Sequence, residues 1–218
     1  MSAMSATEGT GARLNALLLR AGLDPLDSRT TERFESYCSL IFRWNARTNL
    51  TSLRTEGAIL SNHLRESIAC ARALPTGIAT LLDFGSGAGL PGIPIALCRP
   101  EIAVTLAESQ GKKAAFLQEV VRVLGIKSKV HPGRVEELES TFDCVTLRAV
   151  DKMAKAVTTA ARLVSINGWL ALMTTNTELQ KLHDSAGTRF CWSDPVRLPF
   201  GDNRILALGR RDDPEDES

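Results

Sequence analysis

Leu81-Leu82-Asp83-Phe84-Gly85-Ser86-Gly87-Ala88-Gly89-Leu90-Pro91-Gly92 decides the fold of this chain. An apolar run ends in an acid and then breaks into alternating glycines. A buried strand that enters a tight turn and opens a helix has this texture. Glycine has no Cβ, so the backbone can bend there and a ligand can come close. Free amide donors are expected at the helix N-terminus beyond it. A loop of this kind, at the carboxyl edge of a parallel sheet, is a standard position for nucleotide-like ligands.

Spacing narrows the choice of ligand. The dinucleotide fingerprint places its third glycine three positions after the second, G-x-G-x-x-G. Here Gly85, Gly87 and Gly89 run G-x-G-x-G, and Leu90 follows them. The loop therefore fits a class I methyltransferase, which binds S-adenosylmethionine, better than an NAD enzyme. The segment from Ile102 to Ala107 alternates and ends in Glu108. That acid lies about 20 residues past the glycines, where a carboxylate accepts hydrogen bonds from ribose hydroxyls. Gly85, Gly87, Gly89 and Glu108 are the candidate cofactor residues from this half of the chain.

Composition bounds the rest. A chain of 218 residues can bury one large core, or one domain with an added subdomain. No run approaches the length of a membrane span, and the first residues do not read as a secretory signal. The five cysteines, Cys38, Cys70, Cys98, Cys144 and Cys191, are scattered with no C-x-x-C pair. Such a set points to reduced thiols in a cytoplasm and away from a metal site. The net charge is +1, but Asp212, Asp213, Glu215, Asp216 and Glu217 crowd the last seven residues, so the body without these acids carries +6. A mildly basic body is compatible with a nucleic-acid partner.

The texture changes once along the chain. Residues 1–10 are expected to be a flexible start, 11–75 a helical cap, 76–211 an α/β domain and 212–218 a disordered acidic tail. In the cap, Phe34, Tyr37, Ile41 and Trp44 recur at three-to-four spacing, the mark of one buried helix face. A second helix is expected from Thr55 to Leu74. From Thr80 strands alternate with helices. Strands are expected at Thr80–Phe84, Ile102–Glu108, Ser128–Pro132, Phe142–Leu147, Gly168–Met173 and Arg204–Leu208. Helices fit Leu90–Cys98, Lys112–Gly125, Lys152–Ser165 and Glu178–Ser185. Alternation of this kind implies right-handed βαβ units and a mainly parallel, Rossmann-like sheet.

Four further segments carry chemistry. Lys112 and Lys113 open a helix after the second strand, where they oppose the helix dipole unless something anionic lies near. Gly133-Arg134-Val135-Glu136-Glu137 follows the third strand, at the ligand edge in this topology. Arg148 ends the fourth strand and could pair there with a carboxylate, a phosphate or a guanine edge. Trp44-Asn45-Ala46-Arg47-Thr48-Asn49 places two asparagines after a buried aromatic, fit either for a turn or for RNA contact.

The set W-N-x-x-T-N-L-T, D-F-G-S-G-A-G-L-P-G-I-P, E-S-x-x-K-K-A-A-F-L, G-R-V-E-E-L and F-D-x-V-T-x-R-A-V resembles the RsmG family of bacterial methyltransferases, also called glucose-inhibited division protein B. The resemblance spans roughly residues 30–175. It implies a class I fold with a seven-stranded sheet. It also implies methyl transfer from S-adenosylmethionine to N7 of one guanosine in 16S ribosomal RNA of the small subunit. By position it places cofactor contacts at Gly85, Leu90, Val135, Glu136 and Arg148, makes Glu108 the ribose-binding acid, and sets Lys112 near the crevice. Substrate contacts are expected at Lys112, Asn45 and Asn49. The chain departs from the pattern at Met173, where relatives carry lysine, and at Glu66, where aspartate is expected.

Guanine N7 has a lone pair and no proton, so no acid/base residue, covalent cysteine or metal is expected. Arg148 is the residue expected to position base or cofactor. A cytoplasmic monomer is expected, without a membrane partner. A small-molecule methyltransferase using the same loop is the alternative. It would methylate without ribosomal substrate. A dinucleotide oxidoreductase is disfavoured by Leu90, and a non-catalytic RNA module by the intact loop.

Overall fold

The computed structural model describes residues 9–48, 50, 55–199, 201 and 203–213. Asn49, the start over 1–8 and the tail over 214–218 lie outside the described residues. Strand β1 (Thr80–Phe84) pairs in parallel with β2 (Ala103–Ala107) on one side and β4 (Phe142–Arg148) on the other. Strand β3 (Lys129–His131) extends the β2 edge in parallel, and β5 (Val164–Thr175) extends the β4 edge. Strand β8 (Arg204–Arg211) joins β5 antiparallel, and β6 (Phe190–Trp192) and β7 (Val196–Arg197) pair antiparallel with β8. The order is β3-β2-β1-β4-β5-β8-β6. From β1 the chain builds outward through β2 and β3, then returns to lay β4 on the opposite side. Where the order reverses, between β1 and β4, a crevice opens at the carboxyl ends of the strands.

Helices cover both faces, which is why β1 reads as an apolar run rather than an alternation. On one face α1 (Thr10–Arg20), α2 (Ser28–Thr48), α4 (Arg65–Ala73), α5 (Gly92–Cys98) and α6 (Gly111–Leu124) bury Leu14, Tyr37, Ile68, Ile93 and Phe116 with Leu81 and Leu106 of the sheet. On the other, α7 (Met153–Leu163) and α8 (Leu179–Ala186) bury Val157, Leu163 and Leu182 with Leu82, Val145 and Leu172. Leu81 and Leu82 thus serve opposite faces, as the two-residue strand period requires.

Several boundaries differ from expectation for identifiable reasons. The single helix over 55–74 is split into α3 (Glu56–Ile59), a π turn at Leu60–Leu64 and α4. Helix α2 runs through Trp44 and Asn45 to Thr48, so Asn45 sits in its last turn and not in a connecting turn. Packing explains the extension: Phe34, Tyr37 and Ile41 are buried on one stripe, and Trp44 continues it by setting its ring edge-on to Phe116 at 5.7 Å. Tertiary burial outweighs the local preference of asparagine for a turn. Strand β5 extends well before Gly168, where an added Cβ would stand 2.9 Å from Asp143 O. Strands β6 and β7 are three and two residues long, too short for any periodicity to reveal. At the tail, the Asp212 amide donates to Arg189 O at 3.0 Å. No helix among the described residues is long and apolar enough to cross a membrane.

Candidate functional site

The glycine loop is bent by left-handed backbone at Gly85, Gly87 and Gly89, with φ of +69°, +57° and +89°. Residues with a Cβ pay about 1–2 kcal/mol for such a conformation. The three glycines then divide by surroundings. A Cβ at Gly87 would meet nothing nearer than Gly85 O at 3.9 Å, so this glycine faces open space. A Cβ at Gly89 would press on Ile93 at 2.6 Å and on Tyr37 and Leu117 at 3.1 Å. Gly89 therefore lets the loop pack against α2 and α6. Leu90 is buried in the same cluster.

The amides expected to greet a ligand at the start of α5 are already engaged. Gly89 and Leu90 N–H donate to Ser86 O at 2.7 and 3.1 Å, and Ile93 N–H donates to Gly89 O at 2.8 Å. Gly92 N–H donates to Asp83 Oδ2 at 3.1 Å. These donors are spent on holding the loop, so it is not a phosphate nest. A ligand with an adenosine and no phosphate fits it, and S-adenosylmethionine is such a ligand. Tyr37 fastens the loop from the cap, its hydroxyl donating to Ala88 O at 2.5 Å.

Asp83 is the buried peg beneath the loop. Its second oxygen accepts from Thr146 Oγ1 on β4 at 3.1 Å. Burial pushes its carboxyl up from 3.8 to about 6, against the opposing hydrogen bonds from Ser86, Thr146 and Gly92. Folding therefore disfavours the ionised form. The stabilisation of the protonated form is fully present below about pH 4 and is lost as pH rises through about 6. From pH 7 to pH 3 the stability of the wild-type protein relative to Asp83→Asn should rise by about 3 kcal/mol, at 1.36 kcal/mol per pKa unit. Paired denaturant titrations check this, and a pH-independent difference would contradict it.

Gly92 tests the same contact sterically. An added Cβ would lie 2.4 Å from Leu106 Cδ2 and 2.6 Å from Asp83 Oδ2. Gly92→Ala is expected to cost about 1–3 kcal/mol, as overpacking does. A melting temperature equal to wild type would contradict it.

Glu108 stands at the tip of β2, only 6% exposed. Its Oε2 accepts from Gly87 N–H at 2.9 Å and its Oε1 from Gln110 N–H at 2.8 Å. Two backbone donors fix the carboxylate beside the open face of Gly87, and each oxygen keeps lone-pair capacity for a hydroxyl. Val135 packs into the same region, in one buried cluster with Phe84 and Ala107 at the tips of β1 and β2. It begins a 3-10 turn, Val135–Glu137, whose Glu136 is exposed. A hydrogen bond from its own backbone amide is the main influence holding the Glu136 carboxyl below its usual value. Lys112 is exposed in the first turn of α6.

Of the partners open to Arg148 at the strand tip, the structure shows a carboxylate: its side chain is 9% exposed and forms an ion pair with Glu66, itself 1% exposed. One terminal nitrogen donates to Glu66 Oε2 at 3.1 Å and to His63 Nδ1 at 2.6 Å. Arginine can only donate, so His63 Nδ1 is the acceptor. Arg204 closes the knot, its Nε donating to Glu66 Oε1 at 3.0 Å. Burial lowers the Arg148 pKa, and the Glu66 charge opposes that. His63 lies in the π turn and Glu66 in the helix that follows it, so the cap reaches this strand tip directly. Beyond Arg148 the chain turns sharply, with Ala149 and Lys152 at φ of +49° and +52°.

Gly85, Gly87, Glu108 and Val135 therefore converge, and Arg148 stands across the crevice at the end of β4. Asn45 does not join them. It follows Trp44, whose Nε1 donates to Glu119 Oε2 at 2.7 Å midway along α6. Tyr37, which touches the loop, lies about 12 Å earlier along α2. Met173, where the family resemblance expects lysine, is buried beside Arg148 in the sheet register. Arg204 went unread in the sequence, and only its place at the start of an expected strand could have drawn attention.

Residues 30–193 match a family described as rRNA small subunit methyltransferase G. A protein of that name from Neisseria meningitidis is 39% identical over 163 residues, 74% of this chain and 78% of the relative. One from a Roseiflexus species is 37% identical over 200 residues, 84% of each chain. Among solved structures, mitomycin 7-O-methyltransferase MmcR superposes with a TM-score of 0.62 at 17% identity, over 92% of this chain and 71% of that one. An S-adenosylmethionine-dependent methyltransferase from Aquifex aeolicus gives 0.56 at 16% identity, over 71% and 93%. Both structural likenesses speak for the fold.

Proposed function

The chain belongs to the rRNA small subunit methyltransferase G family, and from there we propose that it transfers a methyl group from S-adenosylmethionine to N7 of one guanosine in 16S ribosomal RNA. The observation that carries the cofactor assignment is the Glu108 carboxylate, pinned by the Gly87 and Gln110 amides beside an open glycine face. When bound, the cofactor supplies a methyl group made electrophilic by its sulfonium. In this reading Glu108 accepts the ribose hydroxyls, Gly85 and Gly87 let the backbone approach, and Val135 and Glu136 flank the adenine. Gly89 and Leu90 shape the loop from behind.

The nucleophile needs no activation, because N7 already carries its lone pair. The chain's task is to hold the base in line with the methyl group and to favour the charge distribution of the transition state. Arg148 acts as a positioning residue: with Glu66, His63 and Arg204 it fixes the end of β4 and adds positive charge beside the crevice. A stacked guanine has to be splayed out to enter. Cys70 and Cys98 take no part, since burial lifts their thiols to about 12. Lys112, exposed at the start of α6, would meet the RNA in this reading. Asn45 would meet it further along the cap.

The test is methyl transfer from labelled S-adenosylmethionine, offered intact small subunits, stripped 16S RNA or no RNA. The RNA must come from cells lacking this enzyme. Label in 16S RNA is expected, and the better arm identifies the substrate form. Cofactor binding without label in RNA would overturn the reading in favour of a small-molecule or protein acceptor.

A further inference from the structure

Ala88 is the residue of the glycine loop that the helical cap holds directly. It lies between Gly87 and Gly89, whose φ angles are +57° and +89°. Glycine populates both signs of φ, so the freedom that bends the loop is also freedom for its peptides to turn. One side chain opposes this. Tyr37 Oη donates to Ala88 O at 2.5 Å, across 51 residues of sequence. The missing Cβ of Gly89 admits it, since a Cβ there would stand 3.1 Å from the same hydroxyl. Tyr37 is fully buried, and burial pushes its hydroxyl well above the usual value, so it keeps its proton to donate.

The neighbouring amides of the loop are engaged. Ser86 N–H donates to Ala107 O at 2.9 Å, and the Gly89 and Leu90 amides donate to Ser86 O. Gly87 N–H donates to Glu108 Oε2 at 2.9 Å. Ala88 N–H has no partner among the described residues. Ala88 is buried, and a buried amide without an acceptor is rare in native proteins. This free donor is next in sequence to the amide that Glu108 holds. The helix that carries Tyr37 is tied down a second time where Trp44 Nε1 reaches Glu119 on α6.

We propose that Tyr37 is a positioning residue for the cofactor: by fixing Ala88 it holds the free Ala88 N–H toward the carboxylate at the amino-acid end of S-adenosylmethionine. The assignment rests on the cofactor reading above and is independent of the RNA acceptor. With Glu108 on the ribose, the carboxylate is the one anionic group that the ligand has to place. An N–H that donates to it makes a charge-assisted bond. Such a bond weakens steeply as its angle departs from linear, so a loop peptide free to turn loses it.

The test is calorimetric titration of the wild type, Tyr37→Phe and Ile41→Val with two neutral thioethers. S-adenosylhomocysteine carries the amino-acid end. 5′-Methylthioadenosine has the same adenosine and sulfur without it. Tyr37→Phe keeps the buried ring and removes only the hydroxyl. Ile41→Val lies one turn further along the same buried stripe, so it loosens the cap and leaves the Tyr37 bond in place. In Tyr37→Phe the Kd of S-adenosylhomocysteine should rise about tenfold, as partial loss of a bond to a charged group predicts. The Kd of 5′-methylthioadenosine should change less than about twofold, and Ile41→Val should leave both ligands within that range. An unchanged Kd for S-adenosylhomocysteine in Tyr37→Phe, an equal weakening of both ligands, or the same rise in Ile41→Val overturns the assignment. A wild type that binds neither ligand sinks the cofactor reading and this assignment with it. The expected pattern without methyl transfer to RNA sinks the RNA acceptor alone.

Discussion

Glu66→Ala is expected to lower the unfolding free energy by about 3–5 kcal/mol, the loss seen when one member of a buried ion-pair network is removed. The carboxylate is 1% exposed and lies between two guanidiniums, Arg148 at 3.1 Å and Arg204 at 3.0 Å. Without it, two like charges remain together, and Arg148 remains almost fully buried. Glu66→Gln should cost less, because an amide oxygen still accepts one of these bonds. Denaturant unfolding of the two variants checks the order, and an alanine loss below about 1 kcal/mol would place the pair in the range of surface bridges. Activity should fall in parallel, since the end of β4 loses its anchor to the cap. A fully active, destabilised Glu66→Ala would remove Arg148 from the positioning role.

Glu108→Ala has the largest expected effect on binding. A carboxylate that accepts ribose hydroxyls makes charge-assisted hydrogen bonds, each worth about 1.5–3 kcal/mol. A net loss of about 2–3 kcal/mol is a 30- to 150-fold rise in the Kd for S-adenosylmethionine. The substitution also strips Gly87 N–H and Gln110 N–H of their acceptor, so the loop loses its tie to β2. Glu108→Gln should fall between the two. Calorimetric titration measures both, and an unchanged Kd would show that the ribose is held elsewhere.

These two residues also mark how far the sequence could be read. Glu108 was legible because its role depends on a short local rule: a strand tip a fixed distance beyond a glycine loop. The loop itself was legible for the same reason, as was the parallel sheet built around it. Glu66 was visible only as a departure from a family motif. Its partners lie 82 and 138 residues away, and no local pattern encodes such distances. Arg148 was legible at its strand tip with a carboxylate among its partners, but which carboxylate was not, because a strand tip says nothing of the helix that closes over it. The π turn that brings His63 into the knot has no compositional mark. Gly89 looked like a ligand glycine, yet the space around it is filled by Ile93, Leu117 and Tyr37. Alternating glycines announce a bend, and only packing separates those that face a ligand from those that admit a neighbour.

The most direct test of the central claim is the position and atom of methylation. Small subunits from cells lacking the enzyme are methylated with the purified protein, and their 16S RNA is then reduced and cleaved under conditions specific for N7-methylguanosine. One new scission site is expected, absent without S-adenosylmethionine and strongly weakened with Glu108→Ala. Methyl label without scission, or scission at many guanosines, would contradict transfer to N7 of a single guanosine.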